Sequence, residues 1–465
     1  MNEQIFSSID LFLLTYFLLL NGFYGFLLIL TNPEMIRRAQ ETRANDLYNI
    51  LPLSLVPPIS LIIPAHNEKD VILLSITAAL QIKFSHFEVI VVDDGSTDET
   101  LELLIEKYRL FPVPSVFIPV LQTAPIKSCY RSKEYPQLLV LQKENGGRED
   151  AINAGINAST APFFIGIDAD SLIEPDAIHL LMQHLLTKRN ICAMGGTLCI
   201  INGCTIEQGT LKKILLPPSF WGSMQVVEYL KSFFFGRVGW NKLGGSPLIS
   251  GGFGLFNKQT VIEVGGLTKV LAGDLDLTIR IHKYMHEKKQ PYEIEYMFDA
   301  VVWTDVPQTY SALAKQRKRW QSSIVDVCWR YKKMFFNYKY GITGFLHFPY
   351  ILFGEILGPL IEGFGYIYII FCYFIGVLNT TFFWYLIIIA WGVSMFLTIA
   401  SLIMQEIFLK KYTSKWQILK MVFYSLVENF TYRPLTVWWR IEGFCRYFTK
   451  KRFMRETMDR SSLQN

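Results

Sequence analysis

The hydrophobic pattern divides the chain into membrane-like runs and a long central stretch of alternating short segments. Residues 11–30 are uncharged and mostly apolar, about 30 Å long as a helix and enough to cross a bilayer. Glu3 and Asp10 precede or open this run, and Arg37, Arg38 and Arg43 follow it. The positive-inside rule therefore predicts an anchor that leaves the following residues in the cytoplasm. A cleaved signal peptide fits poorly, because no Lys or Arg precedes the run and no small-x-small site stands out. Between 363 and 405 no charged residue occurs, and Asn379-Thr380-Thr381 splits this stretch into predicted spans 357–378 and 382–405. Glu355 and Glu362 lie near the first span and, if immersed, need partners or water. The apolar pieces of 415–447 are interrupted by Glu428, Arg433, Pro434, Arg440 and Glu442. They predict a re-entrant or interfacial pair of helices.

From 55 to 200 the period alternates between strand and helix. Strands are predicted at 59–63, 89–92, 138–141 and 163–167, with helices reaching about Leu80 and Leu110 and a third carrying Ala151, Ala154 and Ile156. The Pro-punctuated 111–136 reads as an irregular surface excursion. Repeated βα units imply a mostly parallel sheet covered by helices, with ligands at the carboxyl ends of the strands. Further on, 220–240 is an aromatic-rich helix suited to a membrane interface, and 250–254 a glycine-rich turn. Gly273 opens a helix through Met285, 301–304 is a strand, and 308–331 a long helix carrying Lys315, Arg317, Lys318, Arg319 and Arg330.

Composition agrees with a chain partly in a membrane. Of 465 residues 51% are hydrophobic and 18% charged, and the mean hydropathy is +0.25. A net charge of +5 gives no bulk case for a nucleic-acid binder. The charge is lopsided, with twelve Lys/Arg against four Asp/Glu from Lys410 onward, a basic tail suited to an anionic membrane face. Seven Cys without CxxC spacing read as reduced thiols facing the cytosol.

The candidate chemistry lies at the predicted strand ends. Asp168-Ala169-Asp170 follows five mostly apolar residues. Carboxylates are costly to bury, so the pair holds a divalent cation or caps the helix predicted near Pro175. Asp93-Asp94-Gly95-Ser96 is a polar strand end that can accept hydrogen bonds from a ligand or form an Asx turn. Asp274 and Asp276 offer a general base or a helix cap. Gln316, Arg319 and Trp320 share one helix face, which offers a cation and an aromatic platform or lies on lipid headgroups.

Taken together these segments resemble the inverting family 2 glycosyltransferases, which have a GT-A fold. The resemblance rests on Ile62-Ile63-Pro64-Ala65-His66-Asn67-Glu68, Val91-Val92-Asp93-Asp94-Gly95-Ser96-Thr97-Asp98 and the glycine-rich 145–155 segment. Asp168-Ala169-Asp170, Gly273-Asp274-Leu275-Asp276-Leu277-Thr278 and Gln316-Arg317-Lys318-Arg319-Trp320 complete it. The last resembles the QxxRW signature of the processive members, and Trp303-Thr304-Asp305-Val306-Pro307 also fits poly-N-acetylglucosamine, hyaluronan and cellulose synthase-like enzymes. The resemblance covers about 55–335. It implies nucleotide-sugar binding by Ala65, Glu68, Asp93, Asp94, Arg148 and Asp168, and Mg²⁺ or Mn²⁺ on Asp168 and Asp170. Asp274 becomes the catalytic base, and Gln316, Arg319 and Trp320 face the acceptor and diphosphate. Two positions depart from the family pattern: Gly273 replaces a usual Glu, and Arg148 a usual Lys.

The resulting expectation is an α/β GT-A domain with a mostly parallel central sheet, flanked by transmembrane helices. Its parts are an anchor at 1–33, a linker at 34–54, a cytoplasmic transferase domain at 55–340, two transmembrane helices at 341–410 and interfacial or re-entrant helices with a basic tail at 411–465. The implied activity is transfer of a sugar, N-acetylglucosamine being one candidate, from a UDP-sugar to a growing β-linked polysaccharide at the cell membrane. Partners are the lipid bilayer, a polysaccharide or lipid-linked acceptor and an accessory subunit for export, with no nucleic acid. Transfer of a single sugar to a lipid-linked acceptor and an inactive subunit of a synthase complex stand beside it.

Overall fold

Short β-branched runs that end in polar sequence become the middle of a sheet. The computed structural model describes residues 2–44, 56–115, 117–233, 235–270 and 272–449. Helix α1 (Asn2–Ala44) contains the expected anchor and continues through Pro33. The stretch expected as a linker from 34 thus begins as helix; its part at 45–54 and the tail beyond 449 lie outside the described residues. The chain forms two compact units, one including Arg38–Pro217 and Leu243–Val306, the other Met1–Arg37, Pro218–Lys242 and Pro307–Met458.

The first unit is built on a ten-stranded sheet. Its strands are β1 (Ile59–Ala65), β2 (Phe87–Asp94), β3 (Leu110–Val113), β4 (Ile126–Ser132), β5 (Leu138–Lys143), β6 (Phe163–Ile167), β7 (Leu172–Ile173), β8 (Ile191–Ile200), β9 (Phe253–Asn257) and β10 (Glu293–Thr304). They are ordered β3-β4-β5-β2-β1-β6-β9-β8-β10-β7. The four strands expected from sequence, β5-β2-β1-β6, are mutually parallel. The whole sheet is mixed rather than mostly parallel: β8 and β10 run parallel, but β9 is antiparallel to both its neighbours, as is β4. Residues 111–136 are correspondingly not just an excursion, because β3 and β4 extend the sheet edge.

Helix α2 (Ile72–Leu80) follows β1, α3 (Thr100–Lys107) follows β2 and α4 (Arg148–Ala158) follows β5. Small residues let α4 lie close to the sheet, with Ala151 and Ala154 fully buried among Ile62, Ile90 and Val92. Strand β8 is buried at every position. A Cβ on its Gly196 would sit 2.7 Å from the Ala300 carbonyl and inside the Phe253 ring. Helix α5 (Ala177–Thr187) starts well after Asp170 and Ser171, so neither residue caps it. Helix α6 (Gly273–Lys288) carries Asp274 in its first turn.

In the second unit α7 (Tyr310–Arg330) carries the Gln316–Trp320 motif. Among the described residues, α8 (Thr343–Phe374) and α9 (Thr380–Phe408), with the N-terminal Gln4–Gln40, are the three helices long and apolar enough to cross a membrane. α10 (Lys415–Val427) and α11 (Tyr432–Phe448) form the expected pair of shorter helices. The two arginines that interrupt their apolar pattern are partners for Glu355 and Glu362. Arg433 donates to both oxygens of Glu362, at 2.6 and 3.1 Å, and Arg440 to Glu355 at 2.8 Å. Such pairing is what ionisable groups in an apolar unit require.

Candidate active site

The ends of β1, β2, β5 and β6 bring the N-terminal motifs together in the first unit. Parallel register sets Ala65 opposite Asp93, and Asp94 opposite Lys143. Asn67, in the left-handed region at φ 56, turns its Oδ1 to accept from the Thr97 amide at 2.7 Å. Glu68 stands where the chain enters α2, its carbonyl accepting from Val71 and Ile72.

The two adjacent aspartates have different surroundings. Asp94 Oδ1 accepts from Lys143 Nζ at 2.5 Å and the Gly146 amide at 2.9 Å, and Oδ2 from the Gly147 amide at 2.7 Å. Asp93 accepts from the Ser96 amide at 3.2 Å. Burial raises its pKa above the usual carboxylate range despite the bonds from Ser96. Sequence reading missed Lys143. It is fully buried and also pairs with Asp150 at 2.7 Å. The available signal was a lysine closing an apolar strand directly before Glu144-Asn145-Gly146-Gly147.

Arg148 starts α4 and ties the Asp168 segment to the Asp274 segment. Its Nε donates to Asp168 Oδ1 at 2.7 Å and its Nη2 to the Gly251 carbonyl at 2.5 Å. The Gly251 amide in turn donates to Asp274 Oδ2 at 3.1 Å. Antiparallel pairing of Phe253 with Ile167 brings the glycine turn beside Asp168, and a Cβ on Gly252 would lie 3.5 Å from Asp168 Oδ2. Burial works against the Arg148 charge, but Asp168, Glu149 and Asp274 outweigh it and raise the pKa above its ordinary value. Asp274 Oδ1 also accepts from the Leu275 amide at 2.9 Å. Asp276 does a different job: buried, it pairs with Arg280 and accepts from Thr268 Oγ1, both at 2.7 Å.

The donor chemistry fits a hard divalent cation. Mg²⁺ is commonly held by one or two carboxylates together with substrate phosphates and water. Asp168 is partly exposed, and Asp170 accepts from Ser171 Oγ at 3.1 Å. Among the described residues no group of three or more His, Cys, Asp or Glu forms a complete metal cage. The two carboxylates therefore suit a cation shared with a phosphate-bearing ligand.

Gln316, Arg319 and Trp320 belong to the second unit. Gln316 is buried, and the Trp320 indole is 38% exposed. The Arg317 guanidinium lies over that ring at 4.5 Å and donates to Glu228 at 2.7 Å.

The helix bearing Asp274 contains a buried histidine that is held neutral. His282 Nδ1 accepts from Tyr292 O–H at 2.8 Å and Nε2–H donates to the Ser246 carbonyl at 3.2 Å. Burial lowers its pKa from 6.5 to about 4. The unfolded chain then binds a proton at higher pH than the folded one. This contribution to stability is intact above pH 6.5 and is lost progressively toward pH 4. The loss is at most about 3 kcal/mol, from about 1.4 kcal/mol per pH unit. Urea melts at pH 7 and pH 5 are expected to show a smaller acid loss for His282→Gln than for the unaltered chain; equal losses would refute this.

A sheet that gathers carboxylates, a glycine loop and a half-buried arginine at its strand ends fits a nucleotide-sugar transferase type of domain. Residues 60–116 and 122–259 match the family described as Glycosyl transferase family 2. The chain is 26% identical over 264 residues to the poly-beta-1,6-N-acetyl-D-glucosamine synthase of Staphylococcus aureus strain MSSA476, covering 56% of this chain and 53% of that protein. The enzyme of the same name from Staphylococcus epidermidis is 25% identical over 266 residues, covering 57% and 54%. The chain thus spans about half the length of the curated relatives it matches. Among solved structures it is similar to the mannosyltransferase PcManGT from Pyrobaculum calidifontis in complex with GDP-Man and Mn²⁺. The TM-score is 0.52 at 15% identity, covering 95% of this chain and 100% of that one. That likeness establishes the GT-A type of fold.

Proposed function

We propose that this chain is a membrane-bound inverting glycosyltransferase. It moves a sugar, N-acetylglucosamine in the first instance, from a UDP-sugar to a growing β-linked polysaccharide. The observation that carries the reading is the connection through Arg148, which pairs with Asp168 and reaches Asp274 through the Gly251 peptide. A carboxylate suited to the leaving group and one suited to a proton then belong to a single network. The staphylococcal relatives, which are poly-beta-1,6-N-acetyl-D-glucosamine synthases by name, suggest the choice of sugar and the β-linkage.

Asp93, with Ala65 and Glu68, is assigned to base and ribose, while Asp94 holds the Gly146–Gly147 amides in place. Asp168 and Asp170 would hold Mg²⁺ or Mn²⁺, which when bound neutralises charge on the departing diphosphate. Arg148 adds a protein cation on the same side. Asp274 takes the acceptor hydroxyl proton as that oxygen attacks the anomeric carbon. Displacement without a covalent intermediate inverts that carbon. Gln316, Arg319 and Trp320 are assigned to the acceptor and diphosphate. The three long apolar helices among the described residues support a seat at a bilayer; the transferase domain is assigned to the cytoplasm, and export to an accessory subunit.

The test is UDP release by the purified chain in lipid, with UDP-N-acetylglucosamine among a panel of nucleotide sugars and membrane acceptors present. Turnover, a polymeric product and loss of activity with a chelator, reversed by Mn²⁺ or Mg²⁺, are expected. Absence of turnover with every donor refutes the enzyme reading. A product carrying one added sugar replaces polymerisation with single transfer.

A further inference from the structure

The residue before the candidate base is a glycine that its backbone does not require. Gly273 has no positive φ, and glycine is a poor helix former. A side chain at this position would meet Glu149. An added Cβ would lie 2.8 Å from Glu149 Cγ, 3.3 Å from Oε1 and 3.5 Å from Cδ. The Glu149 side chain, from the first turn of α4, therefore occupies the space above Gly273. Its carboxylate lies at the N-terminal end of α6, where negative charge is favoured. The residue before that helix, Ala272, provides no side-chain cap. Glu149 also acts on the Arg148 charge together with Asp168 and Asp274.

We infer that Glu149 is a positioning residue for Asp274, admitted to its seat by the missing side chain at Gly273. Packed on the first turn of α6, and sharing Arg148 with Asp274, it fixes where the Asp274 carboxylate stands relative to Asp168. A carboxylate is thus supplied beside the base from a neighbouring helix, not from the adjacent residue. The inference rests on the reading of Asp274 as the general base.

The test compares Glu149→Ala, Gly273→Ala, the double alanine variant and the exchanged pair Glu149→Ala/Gly273→Glu, in the full chain in lipid. UDP release from UDP-N-acetylglucosamine gives kcat and KM, and melting curves are recorded beside them. Each single change is expected to lower kcat about tenfold, short of the ~10²-fold that a misplacement near 1 Å costs, with donor KM within about twofold. Gly273→Ala is expected to add nothing once Glu149 is alanine, since the three blocking atoms are then gone. The exchanged pair is expected to regain most of kcat. A Gly273→Ala effect that is equal in both backgrounds, or an exchanged pair no faster than Glu149→Ala, overturns the inference. If the unaltered chain turns over no nucleotide sugar, the functional reading fails. The seat of Glu149 is then judged by melting alone, where Gly273→Ala must destabilise only when Glu149 is present.

Discussion

Asp274→Asn is expected to slow sugar transfer by about 10²–10⁴-fold, the usual range for a positioned general base. The replacement keeps the size of the side chain and one acceptor oxygen, so that one of the Gly251 and Leu275 amides, which now bond separate carboxylate oxygens at 3.1 and 2.9 Å, keeps its partner. What it removes is the capacity to take a proton from the acceptor hydroxyl. Donor affinity, measured by UDP-sugar titration, is expected to stay within a few-fold, and the melting temperature to move little. A variant that keeps transfer within tenfold of the unaltered chain would remove Asp274 from the mechanism. A variant that loses donor binding and activity together would assign it to the nucleotide site instead.

Lys143→Met is expected to be the most destabilising single change in the sheet unit. The ammonium is fully buried between Asp94 at 2.5 Å and Asp150 at 2.7 Å, and also donates to the Glu144 carbonyl at 2.7 Å. Together with other hydrogen bonds it overcomes the effect of burial and lowers the Asp150 pKa below the usual carboxylate range. Removing one partner of a buried ion pair costs about 3–5 kcal/mol, because the other charge stays behind without compensation. Here two carboxylates lose it. A fall in melting temperature of roughly 10 °C follows for a unit of this size. Weaker nucleotide binding should accompany it, since Asp94 also holds the Gly146 and Gly147 amides. Adding Asp94→Asn to Lys143→Met should cost less than the sum of the two single changes. Strict additivity would show that the lysine does not act through Asp94.

Much of the arrangement was legible in the sequence because it is written in local signals. The strand 163–167 is recovered with both its ends, and α4 begins at the residue after the glycine pair. Both follow from apolar runs that stop abruptly at polar or glycine-bearing turns. The strands that escaped notice lack that signal. Ile191–Ile200 carries two adjacent glycines and two cysteines, and it is a strand because it pairs with β9 on one side and β10 on the other. Leu110–Val113 and Ile126–Ser132 contain Pro112 and partly exposed positions, and they are strands because β5 offers an edge. Lys143 escaped for a related reason: its two carboxylate partners become neighbours only once the strands pair. Arg433 and Arg440 read as breaks in an apolar pattern, but they are the counter-ions of Glu362 and Glu355.

The connection between Arg148 and Asp274 has an evolutionary consequence. It passes through the carbonyl of Gly251 on one side and its amide on the other, so no side chain is available for selection to adjust. A methyl group at this position would lie 3.3 Å from both terminal Arg148 nitrogens and from Asp274 Cβ. Any side chain at position 251 would thus have to push Arg148 and Asp274 aside by a few tenths of an ångström, which narrows the variants through which the proposed coupling between departure of the nucleotide and removal of the proton could drift. Diversification of donor or acceptor in descendants of this chain must act through the residues around that peptide, with the peptide itself carried along unchanged.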